Sequence, residues 1–413
     1  MLADNIIEEV ILEQLDNLQQ RSTGLKRNYK SAKIINNPLI SVISGVRRSG
    51  KSTYLLQISK QFNNFYYLNL DDERLLGFGV EDFQRTLIIY KKHFRSDVIF
   101  IDEIQNVPSW ERFIRRIYEE GYKIIITGSN SKLLGSELAT HLTGRYLKLE
   151  MFPFSFKELL LYRNIDYIKL VSNTKASILS QLDYYIENGG FPEFLNQQNT
   201  DYLRQVYNDI LYKDLIVRFN IKNHVVFKKL AQFLFTNFTK PVSYNSLRKI
   251  LNISSVNTVK DYIDYLQQAY LLFECYKYDY SLKRQNTYDK KIYVIDTGLR
   301  NAVSFKFSAD IGRYLENMIF IELKRRQKEV FFYKTKENYE VDFLLHENPV
   351  QLIQVTYSML DTETAQREKR ALFSAMKELN VKQSLIITYN EYDTIKKKEF
   401  TINVVPVWRW LLA

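Results

Sequence analysis

The stretch ISGVRRSGKSTYLL, residues 43–56, limits the fold of this chain more than any other part of its sequence. An apolar run typical of a buried strand leads into a loop that holds two glycines and three cations, and an apolar helical pattern follows. A phosphate chain needs several converging backbone N–H groups, and glycines allow a backbone to wrap that closely. The stretch therefore predicts a phosphate-binding loop between a strand and a helix.

The loop from Gly45 to Ser52 fits the pattern GxxxxGKS, in the position between strand and helix that this motif requires. Lys51 is expected to reach the terminal phosphates of a nucleotide and to act in catalysis, and Ser52 is expected to bind magnesium. The other nucleotide-binding candidates here are Gly45, Ser49, Gly50 and Thr53. A phosphate cradle does not require Arg47 and Arg48 to be basic, so their role is left open.

A pair of acids ends another predicted strand, in VIFIDE at residues 98–103. The apolar residues before them place Asp102 and Glu103 at the tip of the strand. Asp102 is expected to hold magnesium through water, and Glu103 to polarise the water that attacks the terminal phosphate. Acids at a strand end also cap helices, but the phosphate loop upstream favours the catalytic interpretation.

Two further candidates follow a later strand, KIIITGSNS. Ser129 and Asn130 are at a strand end where a side chain can sense the terminal phosphate, although capping of a helix that begins near Lys132 explains them equally well. Arg145 is at a junction between loop and strand. It is a candidate to stabilise transition-state charge, within its own chain or in a neighbour's site, and its alternative is a surface cation.

The composition is that of a globular chain with excess positive charge. Its 413 residues favour two or three domains, and its net charge of +11 indicates attraction to a polyanion such as nucleic acid. The one cysteine, Cys275, excludes an intramolecular disulfide and a cysteine-rich zinc site, and four histidines argue against a histidine metal cluster. With neither a secretory signal pattern nor a long apolar run, we expect a cytoplasmic protein without a membrane partner.

Strand and helix patterns predict four segments. Residues 1–155 alternate β-branched runs with helical patterns, which predicts an α/β domain with a parallel sheet. Residues 156–240 are helical in pattern. Residues 241–305 give two helices at helix-turn-helix spacing and then two strands, which predicts a winged helix with Leu247, Ile250 and Leu251 inward. In residues 306–413, a helix, three strands, a helix and a strand predict a further α/β domain.

The segments GVRRSGKST, VIFIDEIQNVPSW, IIITGSNSKLL, LTGRY, MFPFSFKEL and GGFPEFL together resemble a family of prokaryotic AAA+-like ATPases. The resemblance implies an α/β P-loop NTPase sheet with a helical lid, followed by a winged helix and a restriction-endonuclease-like α/β domain. It also implies ATP rather than GTP as the nucleotide, with Mg2+. In the lid it places Pro192, of Gly190-Phe191-Pro192, against the base of the nucleotide. The alternative is that this segment is only a turn that ends the preceding helix.

The predicted winged helix is one candidate for contact with DNA. Its wing carries Lys283, Arg284, Lys290 and Lys291, which are suited to phosphates. The second helix also carries acids that repel a DNA backbone, Asp261 and Asp264. Winged helices of the resembled family also bind protein, so DNA and protein partners both stay open.

The C-terminal segment resembles the PD-(D/E)xK nuclease fold. Glu316 on the helix and Asp342 on a strand match the first two acids of that site. The resembled site needs a third carboxylate and a lysine on the next strand, where this chain has Gln354 and Thr356. Glutamine is a weaker magnesium ligand and threonine supplies no cation, so we expect a degenerate, inactive nuclease-like domain.

Together these observations predict a magnesium-dependent ATPase that acts as a DNA-associated or regulatory switch. An ATP-regulated DNA nuclease and a protein-binding signalling ATPase without DNA contact are the alternatives. Oligomeric assembly is left open.

Overall fold

The computed structural model describes residues 2–29, 31–129, 142, 144–169, 171–304 and 311–413. The chain divides into two compact units, which we call the first and the second unit. The first unit comprises Met1–Phe152 and Gln268–Tyr270, and the second comprises Pro153–Gln267 and Leu271–Ala413. None of the described helices is long and apolar enough to cross a membrane.

The first unit is built on a parallel sheet with strand order β2-β3-β4-β1-β5. Its elements are α1 (Asp4–Gln20), α2 (Ser31–Ile35), β1 (Ile40–Gly45), α3 (Lys51–Ser59), β2 (Tyr66–Asn69), α4 (Val80–His93), β3 (Val98–Asp102), α5 (Trp110–Glu119), β4 (Lys123–Gly128) and β5 (Tyr146–Met151). Short 3₁₀ turns lie at Glu73–Leu75 and Ile104–Asn106. The predicted α/β fold with a parallel sheet is confirmed.

Both faces of this sheet are buried, because successive side chains of a strand point to opposite faces. In β3, Ile99 and Ile101 join a core that includes residues of α1, α4 and α5. Val98 and Phe100 join a second core that includes residues of α3. A parallel sheet covered on both faces needs strands that are apolar without interruption, which is why the run VIFI forms one.

The second unit begins with helices and continues with a mixed sheet. Its helices are α6 (Phe156–Tyr162), α7 (Ser172–Asn188), α8 (Pro192–Gln197), α9 (Thr200–Asp209, continued by a π-helical segment, Ile210–Val217), α10 (His224–Thr236), α11 (Tyr244–Ile250), α12 (Val256–Gln268), α13 (Leu282–Thr287), α14 (Thr297–Val303), α15 (Ile311–Arg325), α16 (Thr362–Leu379) and α17 (Val407–Leu412). Its strands are β6 (Pro241–Val242), β7 (Leu272–Lys277), β8 (Lys290–Val294), β9 (Val330–Lys334), β10 (Glu340–Leu345), β11 (Gln351–Val355), β12 (Gln383–Thr388), β13 (Asp393–Lys397) and β14 (Phe400–Pro406).

These strands form one sheet in the order β13-β14-β12-β11-β10-β9-β7-β8-β6. Its two parts join where β7 pairs in parallel with β9, with Tyr276 opposite Phe331. The sequence did not predict this junction, since pairing between distant segments leaves no local pattern. The division of this unit into a helical lid, a winged helix and a nuclease-like domain stays a prediction.

One detail of the predicted helix-turn-helix is wrong. Ile250, expected to face inward, is exposed, while Leu247 and Ile253 are buried. Helix α11 ends at Ile250, so the following turn, rather than a further helical turn, carries the next inward side chain. The predicted loop between β7 and β8 contains the short helix α13.

Close packing at Gly298, in α14, gives a test of the fold of the second unit. A Cβ atom at Gly298 would lie 1.9 Å from the Asn188 carbonyl oxygen, whereas a Cβ atom at Gly312, in α15, would meet nothing within 4 Å. We predict that Gly298→Ala lowers the free energy of unfolding by about 1–3 kcal/mol through this clash. Gly312→Ala is the matched control and should cause no loss. Equal urea unfolding midpoints for the two variants would contradict the packing described.

Candidate functional site

The candidate site lies at one edge of the parallel sheet in the first unit. Parallel strands end at a common edge, where α/β proteins place their ligands. The phosphate loop follows β1, Asp102 ends β3, and Thr127 is near the end of β4. In the strand register, Ile43 pairs with Thr127 and Ile101 pairs with Ile126, so Asp102 comes level with Thr127. Chain segments that are far apart in sequence therefore meet here.

The phosphate loop has the backbone shape for which its glycines are needed. Gly50 caps the N-terminus of α3 with a φ of 93°, a left-handed conformation that favours glycine. A Cβ atom at Gly45 would lie 2.1 Å from the Met151 carbonyl oxygen, so a larger residue does not fit. The buried ammonium of Lys51 donates to the carbonyl oxygens of Gly45 and Val46, each at 3.2 Å. The loop thus wraps closely around a buried cation at the start of a helix.

Arg27 supports this loop from a position that the sequence did not indicate. The buried guanidinium donates to the carbonyl oxygens of Ser49 and Phe152, both at 2.7 Å. The Ser49 hydroxyl is fully buried and makes no hydrogen bond within the described part of the chain. An orphaned hydroxyl beside a buried cation fits a site that receives a polar, anionic group.

Asp102 is buried at the centre of the site. The Thr127 hydroxyl donates to its carboxylate, and the Glu103 backbone N–H donates to the Thr127 hydroxyl at 3.0 Å. Burial raises the pKa of Asp102 and the charge of Glu103 raises it further, while hydrogen bonds from Thr127 and Ser52 and the charge of Lys51 act to lower it. A carboxylate hydrogen-bonded to a hydroxyl supplies the oxygen ligands that Mg2+ prefers, so Asp102 and Ser52 fit that ion.

Glu103 follows Asp102 in a strained conformation. Its φ of 54° is rare for a residue with a side chain, and such outliers cluster at functional sites. It precedes the 3₁₀ turn at Ile104–Asn106, but its side chain makes no capping hydrogen bond. Instead, the Gln105 side-chain amide donates to the Glu103 carboxylate and contacts the Ser129 hydroxyl at 3.4 Å. The cap alternative therefore does not account for this carboxylate, and Gln105 links it to Ser129.

The other predicted site residues lie in different surroundings. Arg145 is partly exposed and lies 3.5 Å from the Glu119 carboxylate, and Thr53 is exposed on α3. Arg47 is partly buried and Arg48 is exposed. Asn130 lies outside the described residues. The roles assigned to all of these residues stay predictions.

Pro192 is the first residue of α8 in the second unit, a position that suits proline. The Gly190 N–H before it donates to the Asp296 carboxylate at 2.7 Å, and the Gly190 carbonyl accepts from the Phe154 N–H at 2.7 Å. Burial raises the pKa of Asp296 to about 6. These contacts fix the Gly190-Phe191-Pro192 segment within its own unit, and a nucleotide contact of Pro192 stays a prediction.

Tyr270 reaches the strand that carries the loop. It belongs to the short segment Gln268–Tyr270 of the first unit and is buried. Its hydroxyl lies 2.7 Å from the Ser44 hydroxyl, one residue before Gly45, and 3.5 Å from the Glu150 carboxylate. No local pattern predicts the contact between Ser44 and Tyr270, because these two residues are separated by more than half of the chain.

A second polar cluster lies in the second unit and contains the residues expected of a degenerate nuclease site. Glu316 of α15 and Asp342 of β10 both contact the ammonium of Lys291, at 2.9 and 3.1 Å. The Gln354 side chain accepts from the Asp342 N–H at 3.1 Å and donates to Glu368 at 2.6 Å. Thr356 follows β11, and its hydroxyl donates to the Ser358 carbonyl oxygen at 3.4 Å.

The contribution of Lys290 and Lys291 to a DNA-contacting wing is contradicted. Both lysines are buried, with 4% and 2% of their surface exposed, because they belong to β8 rather than to a loop. Lys283 and Arg284 of α13 are exposed, as that prediction requires. Within the described ranges, no group of three or more histidine, cysteine, aspartate or glutamate side chains is arranged to hold a metal ion.

Comparison with protein families gives three successive matches. An AAA domain matches residues 37–160. Two domains of unknown function follow: DUF8612 over residues 179–310 and DUF4143 over residues 311–410.

Two relatives that match over most of this chain are themselves uncharacterized. Uncharacterized protein MJ1544 of Methanocaldococcus jannaschii is 38% identical over 99% of this chain and 95% of its own length. An uncharacterized protein of Haemophilus influenzae is 31% identical over 78% of this chain and 83% of its own.

Solved structures give distant matches. The RuvB Holliday junction branch migration motor of Thermotoga maritima is 19% identical, with a TM-score of 0.30 over 64% of this chain and 88% of its own. AMPPCP-bound DnaA from Aquifex aeolicus is 13% identical, with a TM-score of 0.26 over 57% of this chain and 85% of its own.

The buried hydroxyl of Thr127 can be tested by its effect on stability. Thr127→Val leaves the Asp102 carboxylate and the Glu103 N–H without this partner, so we predict a loss of about 1–3 kcal/mol in the free energy of unfolding. Thr86→Val is the matched control, because the buried Thr86 hydroxyl donates only to a helix carbonyl, that of Asp82, at 2.8 Å. The control should lose less than about 1 kcal/mol. Similar losses in chemical denaturation would contradict a special role of Thr127.

Proposed function

We propose that this chain, which belongs to the same family of AAA-domain proteins as its archaeal and bacterial relatives, binds ATP with Mg2+ and hydrolyses it. One observation carries the proposal: a single edge of the first unit's sheet brings together a phosphate loop and a buried acid pair. The ammonium of Lys51, the hydroxyl of Ser52 and the carboxylate of Asp102 interact at this edge. Glu103 is the residue directly after Asp102 and precedes the 3₁₀ turn at Ile104–Asn106.

In this proposal the loop holds the phosphates. Lys51 turns from the carbonyl oxygens of Gly45 and Val46, which are neutral partners, toward the charged terminal phosphates. The backbone N–H groups at the start of α3 add to the attraction for an anion. Arg27 fixes the Ser49 carbonyl oxygen through a hydrogen bond and so helps to hold the shape of the loop.

Asp102 and Ser52 are the proposed magnesium residues. Bound Mg2+ would neutralise charge that develops on the phosphate oxygens. The burial that raises the pKa of Asp102 makes its carboxylate a stronger partner for a cation, because a buried charge is poorly solvated by water. Thr127 and Ser52 keep this carboxylate oriented through hydrogen bonds.

Glu103 is the proposed base. It accepts the proton of the attacking water, or orients that water in line with the terminal phosphate. In the structure its carboxylate is held by Gln105, which also contacts Ser129. We infer that a terminal phosphate sensed by Ser129 draws Gln105 away and releases Glu103. Arg145 is the proposed transition-state arginine.

We propose a winged helix and an inactive nuclease-like domain in the second unit. The strand β6, the helices α11 and α12, and the antiparallel strands β7 and β8 follow the order of a winged helix. From α15 onward, three antiparallel strands, a helix and a parallel strand support the nuclease-like assignment. Gln354 and Thr356 occupy the positions of the missing acid and lysine.

The charge of +11 supports a proposal that the protein acts as a DNA-associated switch. Exposed cations of α13, Lys283 and Arg284, are its candidate phosphate contacts. The burial of Lys290 and Lys291 reduces the cationic surface available there, which leaves a protein partner as the competing outcome.

The role of Glu103 is tested by Glu103→Gln. We predict that this variant binds ATP as tightly as the wild type but hydrolyses it at least about a hundredfold more slowly, because the amide cannot accept a proton. Glu120→Gln, at the exposed residue that follows α5, is the matched control and should hydrolyse normally. Phosphate release and equilibrium nucleotide binding measure the two quantities. A normal rate in Glu103→Gln would remove Glu103 from its role.

DNA association is tested by duplex binding at several salt concentrations. The logarithm of DNA affinity falls linearly with the logarithm of salt concentration, and each phosphate contact adds about one to the steepness of that fall. We therefore predict that the double variant Lys283→Ala and Arg284→Ala makes the salt dependence shallower by about two. The double variant Lys228→Ala and Lys229→Ala removes the same charge from exposed positions of α10 and should leave the slope unchanged. Equal changes of the salt dependence in the two double variants would show that Lys283 and Arg284 are not the DNA contacts. Absence of binding at low salt, with an ATPase rate unaffected by DNA, would favour the protein-binding alternative.

A further inference from the structure

Lys291 lies within a cluster of three carboxylates in the second unit. Its ammonium nitrogen is 2.9 Å from Glu316 Oε1, 2.8 Å from Glu340 Oε1 and 3.1 Å from Asp342 Oδ1. A lysine ammonium has three N–H donors, and here each carboxylate can take one of them. The cation is therefore fully satisfied by the acids of the cluster.

The lysine reaches these acids from the interior of the unit. Only 3% of its side chain is exposed, since β8 lies inside the sheet between β7 and β6. Glu316, Glu340 and Asp342 line a cleft of about 670 Å3, together with Gln354 and Glu368. The acids thus line a cleft large enough for a ligand, and the buried Lys291 contacts them from the interior of the unit.

Other polar groups around the cluster are paired within the chain as well. The second oxygen of Asp342 accepts from the Val355 N–H at 3.0 Å, and Glu316 Oε1 also accepts from the Tyr293 hydroxyl at 2.7 Å. Glu368, a further acid at this cleft, accepts from Gln354 at 2.6 Å and from Arg367 at 2.7 Å. Each of these carboxylates thus has at least one partner within the described part of the chain.

The electrostatics agree with a permanent cation at this position. Burial acts to lower the pKa of Lys291, but the charges of Glu316, Asp342 and Glu340 outweigh it and raise the pKa well above its ordinary value. For Glu340, burial acts to raise the pKa, and Lys291 outweighs it and lowers the pKa. Removing the lysine would leave three neighbouring carboxylates repelling one another, with Asp342 buried and Glu340 partly exposed.

We propose that the ammonium of Lys291 takes the place of a divalent cation in this acid cluster and keeps the native chain from binding a metal there. The proposal rests on the nuclease-like assignment made above. Mg2+ would need the same oxygens, at about 2.0–2.1 Å, and the lysine already occupies the space between them. Lys291 belongs to β8, which precedes the nuclease-like segment. It therefore does not replace the lysine that the resembled site has on the strand of Gln354, where this chain has Thr356.

The test uses Lys291→Gln, with Lys290→Gln as the matched control. Lys290 is the neighbouring buried lysine, and it donates to the Asn286 carbonyl oxygen at 2.7 Å rather than to these acids. All variants carry Asp102→Asn, which removes the carboxylate proposed for magnesium in the first unit, and are studied without nucleotide. Mn2+ binding is followed by electron paramagnetic resonance, and thermal unfolding is measured with EDTA or with Mn2+.

We expect Lys291→Gln to unfold at a lower temperature in EDTA, to recover with Mn2+, and to bind a single Mn2+ ion that is lost on adding Asp342→Asn. The Lys290→Gln control should bind no Mn2+ that depends on Asp342. Folded Lys291→Gln without Mn2+ binding would overturn the proposal. So would Mn2+ binding by the protein with Lys291 intact, if Asp342→Asn removed it.

Should Lys291→Gln fail to fold in EDTA, its folding in Mn2+ decides the question: recovery that Asp342→Asn abolishes supports the proposal, and no recovery overturns it. A second variant then tests the charge repulsion itself. Combining Lys291→Gln with Glu316→Gln and Asp342→Asn removes charge of both signs and should restore folding, because the repulsion between the acids is relieved. Continued failure would show that the lysine acts through packing and would overturn the proposal.

Magnesium-dependent DNA cleavage by the wild type, abolished by Asp342→Ala, would refute the inactive-nuclease assignment itself. The Mn2+ measurement reports on Lys291 separately.

Discussion

The hydrogen bond from Thr127 to the buried carboxylate of Asp102 joins two neighbouring strands at the edge where the candidate site lies. The same hydroxyl accepts a hydrogen bond from the Glu103 N–H, so one threonine positions both Asp102 and Glu103. Burial makes the Asp102 charge costly without such partners. The phosphate loop supplies the matching side through Ser52 and Lys51, and the closely packed Gly45 fixes where that loop begins.

Much of the first unit could be predicted from sequence because its signals are local. Apolar runs such as VIFI mark strands buried on both faces, and the glycines mark a loop with unusual backbone geometry. Four site residues could be predicted because they lie at the ends of strands or helices: Lys51, Ser52, Asp102 and Glu103. Arg27, Thr127 and Tyr270 could not be found in this way, because their partners are set by tertiary contacts. Thr127 had a weak signal, as a polar residue near the end of an apolar strand.

The second unit shows where local patterns are insufficient. The helix-turn-helix region and the C-terminal strands looked separate in sequence, yet β7 and β9 pair and make one sheet. Lys290 and Lys291 looked like wing cations because a polar stretch precedes them, but they belong to β8 and are buried. A charge pattern alone cannot distinguish a solvated lysine from one neutralised by distant acids. Lys291 meets Glu316, Glu340 and Asp342 only through tertiary contacts, which leave no local pattern in the sequence.

The central claim is that the loop around Lys51 is a nucleotide site, and equilibrium binding of ATP with Mg2+ to the wild type and to Lys51→Ala tests it most directly. Since Lys51 is a buried cation whose described hydrogen bonds go to neutral carbonyl groups, its loss should weaken ATP binding at least about tenfold while the chain remains folded. Equal affinities of the two proteins for ATP, or no binding by the folded wild type, would contradict this account.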